Sequence, residues 1–199
     1  AITAVMGANQ EFSRANSGMS IDDAVRVNAE IVAAAKGDGV PVRMYLSMAF
    51  GAPQSLVEKN LVGELLAASA EMGVERVVLS DTVGVGRPDL VSEMLELALK
   101  YMSVDTIGLH MHDTYGHALK NCAAGLEHGV EFFLAHQPSR ARDLIGLADM
   151  IEVAVRDGHV VDIVWGHPPI CQLFGNCLLE RNREDLLRLR ARNGQHSWQ

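Results

Sequence analysis

The sequence predicts an α/β fold built on parallel strands, and three observations support this. Short apolar segments alternate with longer amphipathic segments over residues 1–133, the pattern of strands alternating with helices. The strand candidates are mostly apolar along their whole length, as expected where both faces of a sheet are covered. The chain of 199 residues is 48% hydrophobic, which is enough for a substantial core. These features favour a partial (β/α) barrel, because a complete one has about eight strand–helix units.

Five short segments have the composition of strands. They are rich in Val, Ile, Leu and Met and are bounded by Gly, Pro or polar clusters. These segments are residues 2–6, 42–48, 75–80, 106–110 and 130–133. A polar loop over residues 8–18 is expected after the first of them. A helix-length segment follows each of the first four strands, so we expect them to pair in parallel.

Four segments carry helix signals, over residues 20–35, 55–72, 88–101 and 117–128. Ser20 suits the N-cap of the first helix, and Asp22 and Asp23 follow in its first turn. Gly73 closes the second helix, and Pro88 suits the first turn of the third. Together with the strands, they predict four strand–helix units and the start of a fifth strand.

The composition changes after residue 133. Residues 134–199 contain no lysine but eight arginines: Arg140, Arg142, Arg156, Arg181, Arg183, Arg188, Arg190 and Arg192. Within this segment the pattern suits a helix over residues 144–155, a strand over 159–165 and a solvated, amphipathic helix over 178–192. We therefore predict two regions, the central part of a barrel over 1–133 and an atypical, Arg-rich and partly helical segment over 134–199.

Charge, hydropathy and cysteine content narrow the function classes. The formal net charge is −8 and the pI about 5.4, which argues against nucleic acid as a partner. No apolar run reaches the ~18 residues of a membrane span. The three cysteines, Cys122, Cys171 and Cys177, are too few for a disulfide framework, so a cytoplasmic location is expected. The chain begins with Ala1 inside an apolar run, which suggests the middle of a domain.

The most informative motif lies at the end of the fourth predicted strand. His110 and His112 are two residues apart, so on a strand their side chains project from the same face. Two imidazoles at this spacing can hold two positions of one metal ion, although paired strand histidines also occur as ordinary hydrogen-bonded residues. A polar loop that includes Asp113 and Tyr115 follows directly. We treat this strand end as the candidate site.

Two segments together resemble a known family. Leu-Ser-Asp-Thr-Val-Gly-Val-Gly over residues 79–86 and Leu-His-Met-His-Asp-Thr-Tyr-Gly over 109–116 are similar, in this order and separation, to motifs of metal-dependent TIM-barrel lyases and Claisen-type synthases. The Asp-Thr-Tyr-Gly ending resembles the 3-hydroxy-3-methylglutaryl-CoA (HMG-CoA) lyases within that group. Residues 11–16 and 42–47 also fit lyase segments. The resemblance covers about residues 1–133.

The resemblance implies an activity and a set of roles. Lyases of this family cleave HMG-CoA to acetyl-CoA and acetoacetate in leucine degradation, with Mg²⁺ or Mn²⁺. His110 and His112 would then be metal ligands, and His110 is also a candidate for proton transfer. Asp81 ends its strand at the same edge of the sheet as the histidines, which we call the rim. It is a second catalytic candidate, and the alternative is that it is an ordinary turn aspartate. Ser47 and Tyr115 are candidates for binding the acyl-CoA substrate. The implied location is the cytoplasm, or the mitochondrial matrix in a eukaryote.

Two alternatives stay open. One is a related aldolase, acyl-transferring synthase or carboxyltransferase barrel. The other is an inactive fragment, because the family's first-strand Arg-Asp pair and the later Gly-rich cysteine loop and metal-binding asparagine have no counterparts here. A frameshift near residue 134 would explain the change in composition. An incomplete barrel would expose strand edges, so self-association into homo-oligomers is expected.

Overall fold

The computed structural model describes residues 1–136, 150–156 and 159–164 of the chain. Within these ranges seven strands form one sheet in sequence order. The strands, numbered β1 to β7, are Ile2–Gly7, Val42–Ser47, Arg76–Asp81, Ile107–His112, Phe132–His136, Met150–Arg156 and His159–Val164. Each of β1 to β4 pairs in parallel with the next strand, whereas β6 is antiparallel to both β5 and β7. The predicted parallel pairing of the first five strands is confirmed.

Five helices lie in the described part of the chain. Numbered α1 to α5, they are Gln10–Ser17, Ile21–Gly37, Lys59–Met72, Pro88–Ala98 and Ala118–Glu127. Ser20 caps α2, as predicted, by accepting a hydrogen bond from the amide of Asp23. Gly73 ends α3 with a left-handed φ of 67°. A short 3₁₀ turn over Val104–Thr106 precedes β4.

Two details of the sequence prediction are wrong. The expected loop over residues 8–18 contains α1, whose start is capped by the side chain of Asn9, 2.8 Å from the amide nitrogen of Phe12. Phe12 and Ala15 are the two apolar residues among the eight of this helix, so its polar composition resembles that of a loop. The helix expected from residue 55 begins only at Lys59, because Ala52 and Ser55 first pair across a tight turn.

One face of the sheet packs against the helices. Alternate strand residues join α2, α3, α4 and α5 in a single apolar core. The strand residues of this face include Met6, Met44, Leu46, Val77, Leu79, Ile107, Leu109, Met111 and Phe133. We call this the helix-facing side.

The opposite face carries the intervening residues, and we call it the inner side. Val78, Phe132 and Leu134 form a small apolar cluster there, with Tyr45 packed against it. Near the amino ends of the strands, the guanidinium groups of Arg43 and Arg76 each lie 4.6 Å from the centre of the Phe132 ring. In a closed barrel this face lines the interior.

The fold class predicted from the sequence, a partial (β/α) barrel, is confirmed. Beyond β5 the result differs from the prediction: residues 150–155, expected in a helix, lie in β6. The strand expected over 159–165 is confirmed as β7. The helix expected over 178–192 lies outside the described residues. No helix in the described ranges is long and apolar enough to cross a membrane.

Candidate metal centre

His110 and His112 lie side by side on the inner side of β4. Their rings are stacked, with centroids 4.9 Å apart and planes inclined by 29°. Both side chains are partly exposed, whereas Leu109 and Met111 between and beside them are fully buried on the helix-facing side. The alternation of the strand thus puts both imidazoles on one surface, as the sequence motif predicts.

Tyr45 of β2 contacts His110, and it was not among the residues selected from the sequence. Its ring meets the His110 ring edge-on, with centroids 5.9 Å apart and an interplanar angle of 89°. Such edge-to-face packing restricts the orientation of the imidazole. The sequence did carry a signal for it. Tyr45 lies two residues before Ser47, the last residue of β2, so strand alternation puts both side chains on the same face.

Two serines share the inner side with the imidazoles. Ser80 of β3 is the register partner of His110, and its side chain is buried. Ser47, selected from the sequence, ends β2 and is the register partner of Gly7 in β1. By strand parity and register, hydroxyl groups therefore stand on the two strands that precede the histidine strand.

Asp81 does not join this group. It has the strand parity of Val77 and Leu79 and is fully buried on the helix-facing side. Its carboxylate accepts hydrogen bonds from the amides of Val85 and Gly86, at 2.9 and 2.8 Å. Burial raises the pKa of Asp81, although those two amides act in the opposite direction. The expectation that Asp81 points toward the site is therefore corrected: it shapes the loop after β3.

The loops after β3 and β4 pack tightly together. A Cβ atom on Gly84 would lie 2.8 Å from the side chain of Thr114, so only glycine fits at this crossing. Asn121 of α5 donates a hydrogen bond to the carbonyl of Gly86 at 3.0 Å. The last sequence candidate, Tyr115, lies in the loop after β4 and is 56% exposed, so the rim presents it to solvent.

His110 and His112 are the candidate ligands for a divalent metal ion at this strand end. The rings of His110 and His112 stand side by side, so one nitrogen of each would hold a shared ion if one bound there. Among the described residues, no cluster of three or more His, Cys, Asp or Glu side chains completes the site. The donor set fits a metal centre whose remaining ligands lie outside this group.

The family follows from comparison with known domains. A family model described as HMGL-like matches residues 1–133, two thirds of the chain. The chain belongs to the HMGL-like family. This match covers β1 to β4 and the start of β5, and it includes both histidines. HMGL-like proteins of the HMG-CoA lyase type depend on a metal ion, in agreement with the paired imidazoles.

Relatives of the HMGL-like chain carry lyase names. It is 39% identical over 129 residues to the cytoplasmic 3-hydroxy-3-methylglutaryl-CoA lyase of Danio rerio, covering 64% of this chain and 38% of that protein. It is 35% identical over 127 residues to the hydroxymethylglutaryl-CoA lyase of Pseudomonas mevalonii, covering 63% and 42%. The chain thus spans about two fifths of the length of these relatives.

Solved structures of the same HMGL-like group share the fold. The HMG-CoA lyase of Brucella melitensis is 30% identical with a TM-score of 0.64, over 68% of this chain and 48% of that one. An HMG-CoA lyase of Acinetobacter baumannii, solved with coenzyme A and 3-methylmalate, is 27% identical with a TM-score of 0.62, over 67% and 44%. Both similarities cover about two thirds of this chain and support a barrel-type fold for the parallel part of the sheet.

Proposed function

We propose that this chain forms the metal-binding wall of an HMG-CoA lyase and that the whole protein cleaves 3-hydroxy-3-methylglutaryl-CoA to acetyl-CoA and acetoacetate. One observation supports the proposal above the others: the stacked His110 and His112 pair lies on the inner side of an HMGL-like sheet. Each of the relatives named above is called a lyase, which agrees with the proposal. Such a reaction would belong to leucine degradation.

The metal ligands in this proposal are His110 and His112. Tyr45 holds the His110 ring by edge-to-face packing. We propose Mg²⁺ or Mn²⁺ as the ion, with oxygen ligands from outside the described residues, because both ions prefer octahedral, oxygen-rich sites. When bound, a divalent ion lowers the pKa of a coordinated substrate hydroxyl. A coordinated imidazole is poorly suited to carry a proton as well, so we assign His110 to metal binding alone.

The substrate contacts would come from the rim. Ser47 stands at the end of β2 on the inner side, and Tyr115 is exposed on the loop after β4. The relative from Acinetobacter baumannii was solved with coenzyme A, which supports an acyl-CoA as the ligand class. Asp81 contributes indirectly, because its carboxylate holds the loop after β3.

The experiment measures metal binding and cleavage in the same preparations. Mn²⁺ binding is titrated by calorimetry, and acetyl-CoA release from HMG-CoA is assayed with Mn²⁺ or Mg²⁺. We expect His112→Ala to weaken Mn²⁺ binding more than ~100-fold, beyond the 10–100-fold typical of outer-shell losses. His128→Ala is the matched control, because His128 follows α5 away from the inner side. Equal Mn²⁺ affinity in wild type and His112→Ala would refute the proposed site.

A second candidate is a metal-binding chain without turnover. No group of three or more His, Cys, Asp or Glu side chains that could hold a metal ion is found among the described residues, and this favours it. Mn²⁺ binding that depends on His112 but gives no acetyl-CoA would select this candidate. The related aldolases, synthases and carboxyltransferases would be selected instead by turnover of their own acyl substrates.

Location and assembly complete the proposal. We propose the cytoplasm, or the mitochondrial matrix in a eukaryote, since relatives with each location in their names match the chain. We also propose self-association of the chain, because β1 has no partner on its outer edge in the described sheet and Val5 is 52% exposed. Light scattering coupled to size-exclusion chromatography tests this, and a monomeric mass would refute it.

A further inference from the structure

The turn after β2 contains the one non-glycine residue with a positive φ in the described part of the chain. Met48 has φ of 61° and is 7% exposed, so its side chain is buried while its backbone is left-handed. Residues with a Cβ atom seldom adopt this conformation, and they keep it only where the surroundings enforce it. The structure around Met48 must therefore supply that constraint.

Thr82, from the loop after β3, supplies a large part of it. The Met48 amide donates a hydrogen bond to the Thr82 hydroxyl oxygen at 2.8 Å. Two backbone bonds support the same turn: the Ala49 amide donates to the Ser80 carbonyl at 3.2 Å, and the Gly51 amide donates to the Met48 carbonyl at 3.0 Å. Of the three bonds, the one from Thr82 is the only one made by a side chain.

Thr82 is itself held in place independently of this turn. The preceding residue, Asp81, accepts two amides of its own loop. Two residues further on, Gly84 is pressed against Thr114 of the loop that follows the histidine strand. The hydroxyl of Thr82 therefore projects from a rigid support toward the end of β2.

The turn that Thr82 holds begins directly after Ser47. The Ser47 carbonyl accepts a hydrogen bond from the Ala8 amide at 2.8 Å, which fixes Ser47 from the other side. Beyond the turn, the chain reaches Leu56, which is 93% exposed. The conformation of Met48 thus decides how the segment from Ser47 to Leu56 is presented at the rim.

We propose that Thr82 is a positioning residue for the acyl-CoA site: its hydroxyl holds Met48 left-handed and so places Ser47 and the following loop against the thioester ligand. The ligand in this inference rests on the proposed function, whereas the geometry does not. Thr82 acts through the Met48 amide and needs no contact of its own with substrate.

The test compares Thr82→Val with two partners. Thr82→Ser keeps the hydroxyl, and Thr106→Val removes a different threonine hydroxyl that donates to the Ser103 carbonyl before β4. Amide hydrogen exchange at Met48 is followed by NMR, and acetyl-CoA and Mn²⁺ affinities are measured by calorimetry. We expect Thr82→Val to speed Met48 exchange and to weaken acetyl-CoA binding by about tenfold each, as for one lost hydrogen bond. Mn²⁺ affinity should stay within about twofold, since the histidines lie on another strand.

The conservative and control variants should behave as the wild type in all three measurements. Unchanged Met48 exchange in Thr82→Val would overturn the positioning role. An equal loss of acetyl-CoA and Mn²⁺ affinity in Thr82→Val, or the same losses in Thr106→Val, would indicate a general structural effect and would also overturn it. If the wild type binds no acetyl-CoA, the substrate part fails together with the proposed function, and Met48 exchange still decides whether Thr82 holds the turn.

Discussion

The two sides of the parallel sheet are made by the same five strands, yet they differ in what they can do. On the helix-facing side the strand residues are apolar, apart from Asp81 at the end of β3, and they are buried under α2 to α5. On the inner side, neighbouring residues of the same strands are Arg43, Tyr45, Ser47, His110 and His112, most of them partly exposed. Alternate residues of the same strands therefore have different roles: those facing the helices stabilise the core, and those on the inner side form the candidate site.

The largest expected effect tests this separation at adjacent positions. Leu109→Ala removes a fully buried side chain from the helix-facing core and should lower the free energy of unfolding by about 3 kcal/mol. His110→Ala, one residue later, should change it by less than about 1 kcal/mol, as for a partly exposed side chain. Urea unfolding followed by circular dichroism measures both. Similar losses in the two variants would break the comparison.

The second prediction concerns the rim, where glycines of two loops have the same backbone conformation. Gly84 and Gly116 both have φ of 77°, but a Cβ atom on Gly84 would meet Thr114 at 2.8 Å, whereas one on Gly116 would meet nothing within 4 Å. Gly116→Ala should cost about 1 kcal/mol of stability from backbone strain alone. Gly84→Ala should cost about 3 kcal/mol, because overpacking is added. Thermal unfolding of both variants measures these losses of stability. Equal losses would show that the two loops can separate freely.

The third prediction concerns the buried carboxylate of the rim. Asp81→Asn keeps the shape but replaces one acceptor by a donor facing an amide, so at pH 7 it should cost about 1–3 kcal/mol.

Its pH dependence has a definite sign. Burial raises the folded-state pKa of Asp81 above its ordinary value of 3.8, so the folded state binds this proton more tightly than the unfolded state does. The contribution of Asp81 to stability therefore falls as pH rises from 3.8 through the raised pKa. We expect the stability advantage of wild type over Asp81→Asn to be smaller at pH 7 than at pH 4, measured by denaturant unfolding at each pH. An advantage that grows with pH would contradict the direction of the shift.

The smallest effect is chemical rather than energetic. Cys122 lies on α5 and is fully buried in the apolar core, and this burial raises the pKa of its thiol to about 12. In a Cys171→Ser, Cys177→Ser background, Cys122 should not react with a disulfide reagent at pH 8 until the protein is unfolded. Absorbance of the released thiolate measures this. Rapid labelling of the native protein would show that the helix layer opens easily.

Much of the fold was predictable from local patterns. Apolar runs between Gly and Pro residues marked β1 to β4, and Ser20 and Gly73 marked helix ends, because these signals act over a few residues. The helix α1 was missed because six of its eight residues are polar, a composition that is typical of a loop. The helix predicted over residues 144–155 was wrong where β6 lies, because pairing with β5 is a long-range contact that periodicity does not report.

The candidate site divides in the same way. The spacing of His110 and His112 by itself determined that both imidazoles share one face of β4, since strand alternation is a local property of the backbone. Only the tertiary structure decided that Asp81 turns to its own loop, that Tyr45 packs on His110 and that Thr82 holds Met48. Thr82 and Met48 are 34 residues apart, and their contact depends on the register of two strands and on two loops folding together. Residue spacing determines local geometry, whereas contacts between distant segments form only when the sheet and its loops are assembled.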